Sequence, residues 1–158
     1  MDCNIIIDNI RNHLTDYLNK HKLESCVIGD SGGIDSALCC ALAEPVCKHI
    51  GIPLIRLSIP IETNKPDEIE RAKQIGKSFC NPFQEIDLTE QYLKEKDFFW
   101  KNINFLKPEY DDKKVKITNG NLKARARMKL LYFIANITNG MVLSTDNLTE
   151  LNLGFFTI

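Results

Sequence analysis

No stretch of this chain stays apolar for the roughly 18 residues that a membrane span requires. Charge of one sign is also lacking: Lys and Arg total 20 against 21 Asp and Glu, a formal net charge of -1. No global field draws the protein to nucleic acid or to an anionic membrane, so neither is expected as a partner and any cationic site is local. Residues 1–10 carry Asp2 and Asp8 in place of a basic secretory region, which argues against secretion. The six cysteines, Cys3, Cys26, Cys39, Cys40, Cys47 and Cys80, form no C-x-x-C pair and mostly lie in apolar stretches. That pattern argues against a disulfide framework or a zinc site and for a reduced, cytoplasmic protein. What is present is ordinary for a globule. The 158 residues, 44% hydrophobic and 26% charged, suit one domain and exclude disorder and fibrous structure.

Hydrophobic periodicity divides the chain into alternating elements. Ile6, Ile10, Leu14, Tyr17 and Leu18 fall at helical spacing among polar residues, predicting an amphipathic helix. Residues 25–29 form a short apolar run ending in glycine, as a buried strand does, and a glycine-rich turn at 31–36 precedes a helical run at 37–50. Pro45 within that run is expected to kink or divide it. Further strands are predicted at 52–59, 84–88 and 141–145. Helices are predicted at 66–79, 89–100 and 122–138, the last presenting Ala126, Leu130, Phe133 and Ile137 along one side. Between 101 and 120 periodicity fails and the stretch reads as a long loop. Strands alternating with helices, without hairpin signals or repeats, predict a doubly wound parallel α/β sheet of the Rossmann-like kind.

The sharpest chemical signal is Ser31-Gly32-Gly33-Ile34-Asp35-Ser36, set between a buried strand and a helix. Glycines allow the backbone to approach a phosphate, the following amides and the helix N-terminus aim positive charge at it, and two serines add hydroxyl donors. The competing structural account is a tight turn with a serine N-cap. A carboxylate at Asp35 would repel phosphates, so it makes sense chiefly as a ligand for Mg²⁺ bridging to one. The Gly-Lys-Ser/Thr ending of a Walker A loop is absent.

This loop resembles the phosphate loop of the N-type ATP pyrophosphatases, which cleave ATP between the α and β phosphates and adenylate a second substrate. Two later blocks narrow the resemblance. They are Gly120-Asn121-Leu122-Lys123-Ala124-Arg125-Ala126-Arg127-Met128 with Leu131-Tyr132, and Ser144-Thr145-Asp146-Asn147-Leu148-Thr149-Glu150 with Leu153-Gly154-Phe155-Phe156-Thr157. In order and spacing they are similar to NAD synthetases over most of the chain.

The resemblance implies ATP as substrate, held by Gly29, Ser31, Gly32, Gly33, Ile34, Asp35 and Ser36 with Thr145, and Mg²⁺ held by Asp35 and Glu150. It implies that Arg125 contacts deamido-NAD, that ammonia supplies nitrogen, and that the protein is a homodimer with residues 122–138 near the interface. The reaction implied is amidation of deamido-NAD through an acyl-adenylate. No protein nucleophile or base is called for, because the substrate carboxylate is its own nucleophile, and His13, His21 and His49 lie outside every motif. Without the resemblance, Glu150 reads as an acid in a helix first turn, and Arg125, with Lys123 and Arg127, as the wet face of a helix.

Two departures from the family pattern stand out. Asp30 occupies a position that is usually apolar, where its charge would repel ATP unless it faces away or shares the metal. The chain also has Ile158 where the family has a substrate-contacting lysine followed by a further region, so residues 1–158 resemble one synthetase domain incomplete at its C-terminus. The alternatives are another N-type pyrophosphatase, acting on tRNA or a nucleoside, and an ATP-binding piece that needs a separate C-terminal half.

Overall fold

The computed structural model describes residues 2–62, 82–103, 105, 111–154 and 157. Helix α1 (Cys3–His21) leads to β1 (Ser25–Gly29), α2 (Ile34–Ile50) and β2 (Leu54–Ser58). After them come β3 (Phe83–Glu85), α3 (Thr89–Asn102), α4 (Asp112–Ile137), β4 (Gly140–Val142) and α5 (Leu148–Leu153). The strands form one parallel sheet in the order β3-β2-β1-β4, so the expected fold class holds. The predicted helix at 66–79 lies outside the described residues. No helix among those described is long and apolar enough to cross a membrane.

Side chains alternate across β1, and the alternation makes two cores. Cys26 and Ile28 pack with Leu18 of α1 and with Cys40, Ala43, Val46 and Cys47 of α2. Val27 faces the other way, with Leu57, Ile59, and Leu131 and Ala135 of α4. Helices therefore cover both faces, as a parallel sheet requires. A smaller cluster of Ile61, Tyr92 and Ala126 joins α3 to α4. Above it Lys123 Nζ lies 2.8 Å from Glu62 Oε2 and Lys96 Nζ 3.6 Å from Oε1. The Lys123 hydrogen bond leads in holding the Glu62 carboxyl below its ordinary range.

Two expectations need correction. The loop predicted at 101–120 is helix from Asp112 onward, because the Asp111 side chain caps the new N-terminus by accepting from the Lys114 amide at 2.6 Å. Of the α4 side that carries Ala126, Leu130, Phe133 and Ile137, the first half packs, Ala126 buried and Leu130 half-buried against the sheet cluster, while Phe133 is 66% and Ile137 74% exposed. The helix carries a second apolar stripe, Leu131 and Ala135, whose small and branched residues dock on the sheet more closely, and periodicity alone does not choose between the two.

Pro45 does not divide α2; the helix is continuous from Ile34 to Ile50. A proline at 45 has no amide to give the carbonyl four residues earlier. Instead, Arg11 Nη2 of α1 donates to the Ala41 carbonyl at 3.2 Å, so the orphaned acceptor is satisfied from the neighbouring helix. Arg11→Met is expected to destabilise the protein by about 1–3 kcal/mol, the range for losing a charged hydrogen bond to a partly buried acceptor. In a Pro45→Ala background, where the helix supplies its own amide, the same change is expected to cost under half as much. Denaturant unfolding of the four variants checks this, and additive losses would refute it.

Candidate functional site

In the sheet order, β2 and β3 lie on one side of β1 and β4 on the other. The direction of winding reverses between β1 and β4, and ligands of open α/β sheets bind in the crevice at the carboxyl ends of such strands. An open cavity of about 620 Å³ lies there. Gly29, Asp30, Ser31, Gly32 and Gly33 line it after β1, Leu57 and Ile59 from β2, and Thr145 and Asp146 from beyond β4. Ala124, Arg127, Met128 and Leu131 of α4 form its wall, and Thr157 closes one side, its hydroxyl 2.9 Å from Asn121 Oδ1.

The local sequence explains the loop. Gly32 has φ +73°, a left-handed conformation that costs a side chain roughly 1–2 kcal/mol. That turn lets the chain reverse from β1 into α2. Gly33 is the N-cap and no side chain caps the helix, so the first-turn amides of α2 face the solvent side with their macrodipole charge. The Ser31 hydroxyl accepts from the Gly33 amide at 3.2 Å. Ser36 is buried, its Oγ 2.9 Å from the Gly33 carbonyl, 3.2 Å from Asp30 Oδ1 and 3.4 Å from Ser31 Oγ. Asp30, the departure from the family pattern, turns inward. Its Oδ1 accepts from the Gly32 amide at 2.9 Å and its Oδ2 pairs with the Arg56 guanidinium of β2.

The cavity brings together Gly29, Ser31, Gly32, Gly33 and Thr145 of the residues singled out from sequence. Ile34, Asp35 and Ser36 adjoin it on the first turn of α2, with Ile34 and Asp35 exposed. Arg125 and Glu150 are not on its lining. Arg125 is exposed on α4, on the side of the helix away from Leu131. Glu150 closes a capping box at α5, its Oε2 accepting from the Asn147 amide at 2.9 Å while Asn147 Oδ1 accepts from the Glu150 amide at 3.0 Å. No three His, Cys, Asp or Glu side chains among the described residues form a group able to hold a metal. Nucleotide-bound Mg²⁺ needs less, one or two carboxylates with phosphate oxygens and water. The chemistry of the donor set fits that need, because Asp35 is exposed and the capping box occupies Glu150 Oε2 alone.

Arg127 and Asp146 are cavity residues that sequence reasoning did not single out as such. The signal for Arg127 was available: Ala124, Arg127, Met128 and Leu131 stand at i, i+3, i+4 and i+7, one continuous helix face. Arg127 Nε donates to the Ile59 carbonyl at 2.9 Å, which fixes the guanidinium at the end of β2, and burial pulls its pKa below the ordinary value. The Ser144 hydroxyl donates to Asp146 Oδ2 at 2.7 Å, shaping the loop after β4. The Cys39 thiol donates to the Ser144 carbonyl at 3.6 Å and ties α2 to that loop; burial pushes its pKa up.

A parallel sheet wound in both directions, with an open cavity and a glycine turn at the switch point, defines a Rossmann-like α/β protein. Within that class the assignment is specific. A family model for NAD synthase matches residues 6–158, and the chain belongs to this family. It is 38% identical over 156 residues to an NH(3)-dependent NAD(+) synthetase of Methanosarcina acetivorans, covering 98% of this chain and 55% of that protein. In structure it is similar to the NH3-dependent NAD synthetase of Campylobacter jejuni, with TM-score 0.81, 27% identity, and 100% of this chain against 62% of that one. The NMN synthetase of Francisella tularensis aligns with TM-score 0.80 and 27% identity over 99% of this chain and 60% of its own. The chain thus spans somewhat over half the length of these three relatives.

The geometry of the wall generates a test. Arg127→Met is expected to weaken binding of inorganic pyrophosphate at least tenfold by calorimetry. Lys129→Met, which removes an exposed cation of α4 paired with Glu95 of α3 at 2.6 Å, is expected to change it less than twofold. Equal losses would mean that only the general charge of α4 matters.

Proposed function

We propose that the cavity is the ATP side of an NAD synthetase site and that the protein amidates deamido-NAD to NAD at the expense of ATP. The observation that supports this most is the glycine turn opening onto the switch-point cavity, with the Arg127 guanidinium across from it. In the reaction the nicotinate carboxylate oxygen attacks the α-phosphorus, the bond to the bridging oxygen breaks, and pyrophosphate leaves with the electron pair. Ammonia then attacks the acyl carbon, AMP departs, and the surplus proton passes to water.

Each residue has a part that its position suits. The loop from Gly29 to Ser36 and the α2 N-terminus hold phosphate oxygens through backbone amides, while Ile34 and the Thr145 side chain bound the nucleotide. Asp35 and Glu150 hold Mg²⁺, which when bound offsets phosphate charge. Arg125, on the exposed side of α4, holds deamido-NAD. Tyr132, Phe133 and Ile137 on the same helix are 54%, 66% and 74% exposed, an apolar surface suited to a second copy in a homodimer. Catalysis by such a site rests on alignment and charge neutralisation, with no protein nucleophile. Free thiols at Cys26, Cys40 and Cys47 in the core suit a reduced, cytoplasmic setting.

Supplying ATP, Mg²⁺, ammonia and deamido-NAD, and measuring pyrophosphate, tests the reaction class. Release that depends on deamido-NAD is expected. Release that instead requires the deamidated mononucleotide would move the acceptor, and ATP binding with no release on either would leave a nucleotide-binding module.

Two substitutions test the assignments. Asp35→Asn is expected to remove the Mg²⁺ dependence of ATP binding with the fold intact by circular dichroism; unchanged affinity and metal dependence would refute the role. Arg125→Lys is expected to weaken deamido-NAD binding at least tenfold and ATP less than threefold, because lysine cannot copy the planar fork of the guanidinium. Equal loss for both ligands would place Arg125 in the scaffold.

A further inference from the structure

Asp30 and Arg56 are the only charged residues in the buried polar set among the described residues, and both side chains are fully enclosed. Alternation explains where they sit. Asp30 follows Cys26 and Ile28 on one face of the sheet, and Arg56 follows Leu54 on that same face, the one packed against α2. The Asp30 amide also donates to the Leu57 carbonyl at 2.8 Å, extending the β1–β2 ladder one step beyond Gly29. The two charges therefore meet at the carboxyl end of the sheet, directly under the start of α2.

Stability alone does not account for them. Replacing a buried ion pair by apolar residues is often neutral or stabilising, because desolvation offsets the Coulomb gain. What the pair has that an apolar pair lacks is its grip on the loop: Asp30 Oδ1 takes the Gly32 amide at 2.9 Å and lies 3.2 Å from Ser36 Oγ. The carboxylate spans the turn from below, from its left-handed residue to the first turn of the helix. Alone it would also place a negative charge beneath an anion site. The Arg56 guanidinium on Oδ2 cancels that charge from the side away from the loop.

We infer that Asp30 and Arg56 are a positioning pair for the phosphate loop: Asp30 sets the turn before nucleotide arrives, and Arg56 keeps the carboxylate from repelling it. This rests on reading the loop as a phosphate site. It also divides the loop's donors. The Gly32 and Gly33 amides and the Ser36 hydroxyl are internal struts, leaving the amides from Ile34 into the first turn of α2 to face the ligand.

The test uses the 158-residue chain, with MgATP and inorganic pyrophosphate as probes. Affinities are compared for the parent, Arg56→Met, and Arg56→Met with Asp30→Asn, at a temperature where each is folded by circular dichroism. Arg56→Met is expected to weaken both probes at least tenfold. Adding Asp30→Asn, which keeps an acceptor for the Gly32 amide but removes the stranded charge, is expected to restore both to within about threefold of the parent. A double variant no tighter than the single one would overturn the inference. A second measurement needs neither ligand nor variant: amide hydrogen exchange in the parent, relative to the intrinsic rate of each residue, is expected to be at least tenfold slower at Gly32 than at Ile34. Equal exchange rates would overturn the inference even if Arg56→Met does not fold. Failure of the parent to bind either probe, with Gly32 protected, would instead refute the phosphate-site reading and leave the grip of Asp30 on the turn standing.

Discussion

A strand that is buried on both faces and paired on both edges can offer polar groups to a ligand only at its ends. Strand β1 is such a strand, with Ser25, Cys26, Val27 and Ile28 all at 0% exposure and with parallel partners on either side. Its amino end is shut. An added Cβ at Gly140 would fall 1.9 Å from Ser25 Oγ and 2.7 Å from the Ser25 carbonyl oxygen, and the Ser25 hydroxyl is 2.7 Å from that of Thr138. Only the carboxyl end is open, and there the glycines permit the turn that the cavity needs. The close seating of β4 on β1 and the open crevice at their far ends are thus two results of one packing arrangement.

The electrostatics of the crevice are local, as the near-zero net charge requires. Two guanidiniums bound the site in different ways. Arg56 is wholly enclosed and directed at a carboxylate, whereas Arg127 is held through Nε by a backbone carbonyl and stays on the cavity wall. In a partly desolvated setting such a charge acts on an anion more strongly than it would in bulk water, where the dielectric reduces a contact pair to about 1 kcal/mol. Placement therefore matters more than the count of basic residues.

Much of the fold was legible because it rests on short-range rules. The short apolar run at 25–29, the glycine punctuation at 32–33 and the helical run that follows each carry their own signal, and the parallel sheet follows from the alternation of elements. The misjudged parts depended on partners distant in sequence. Pro45 breaks a helix unless something else bonds the freed carbonyl, and Arg11 lies 30 residues away. The exposure of Phe133 and Ile137 was not legible because both stripes of α4 are apolar and its last turns meet the sheet through Leu131 and Ala135. Among candidate site residues, the glycine turn was legible from its residue types and Thr145 only through the family resemblance, and Asp30 was flagged as anomalous. What neutralises Asp30 was not legible, since Arg56 lies on another strand and becomes its neighbour only through the β1–β2 register.

The thiols of the core carry a consequence for the life of the protein outside a reducing environment. Cys26, Cys40 and Cys47 belong to one cluster with Leu18, Ile28 and Val46, and burial shields them from oxidants as long as the sheet and α2 stay together. Unfolding releases them at once and side by side in an expanded chain, where thiolate attack and air oxidation lead to crosslinks that no longer fit a core packed around free sulfur. Each excursion from the native state thus risks becoming permanent. Under oxidising conditions the useful lifetime of this protein is set by how often it opens, a rate, rather than by the depth of its free-energy minimum.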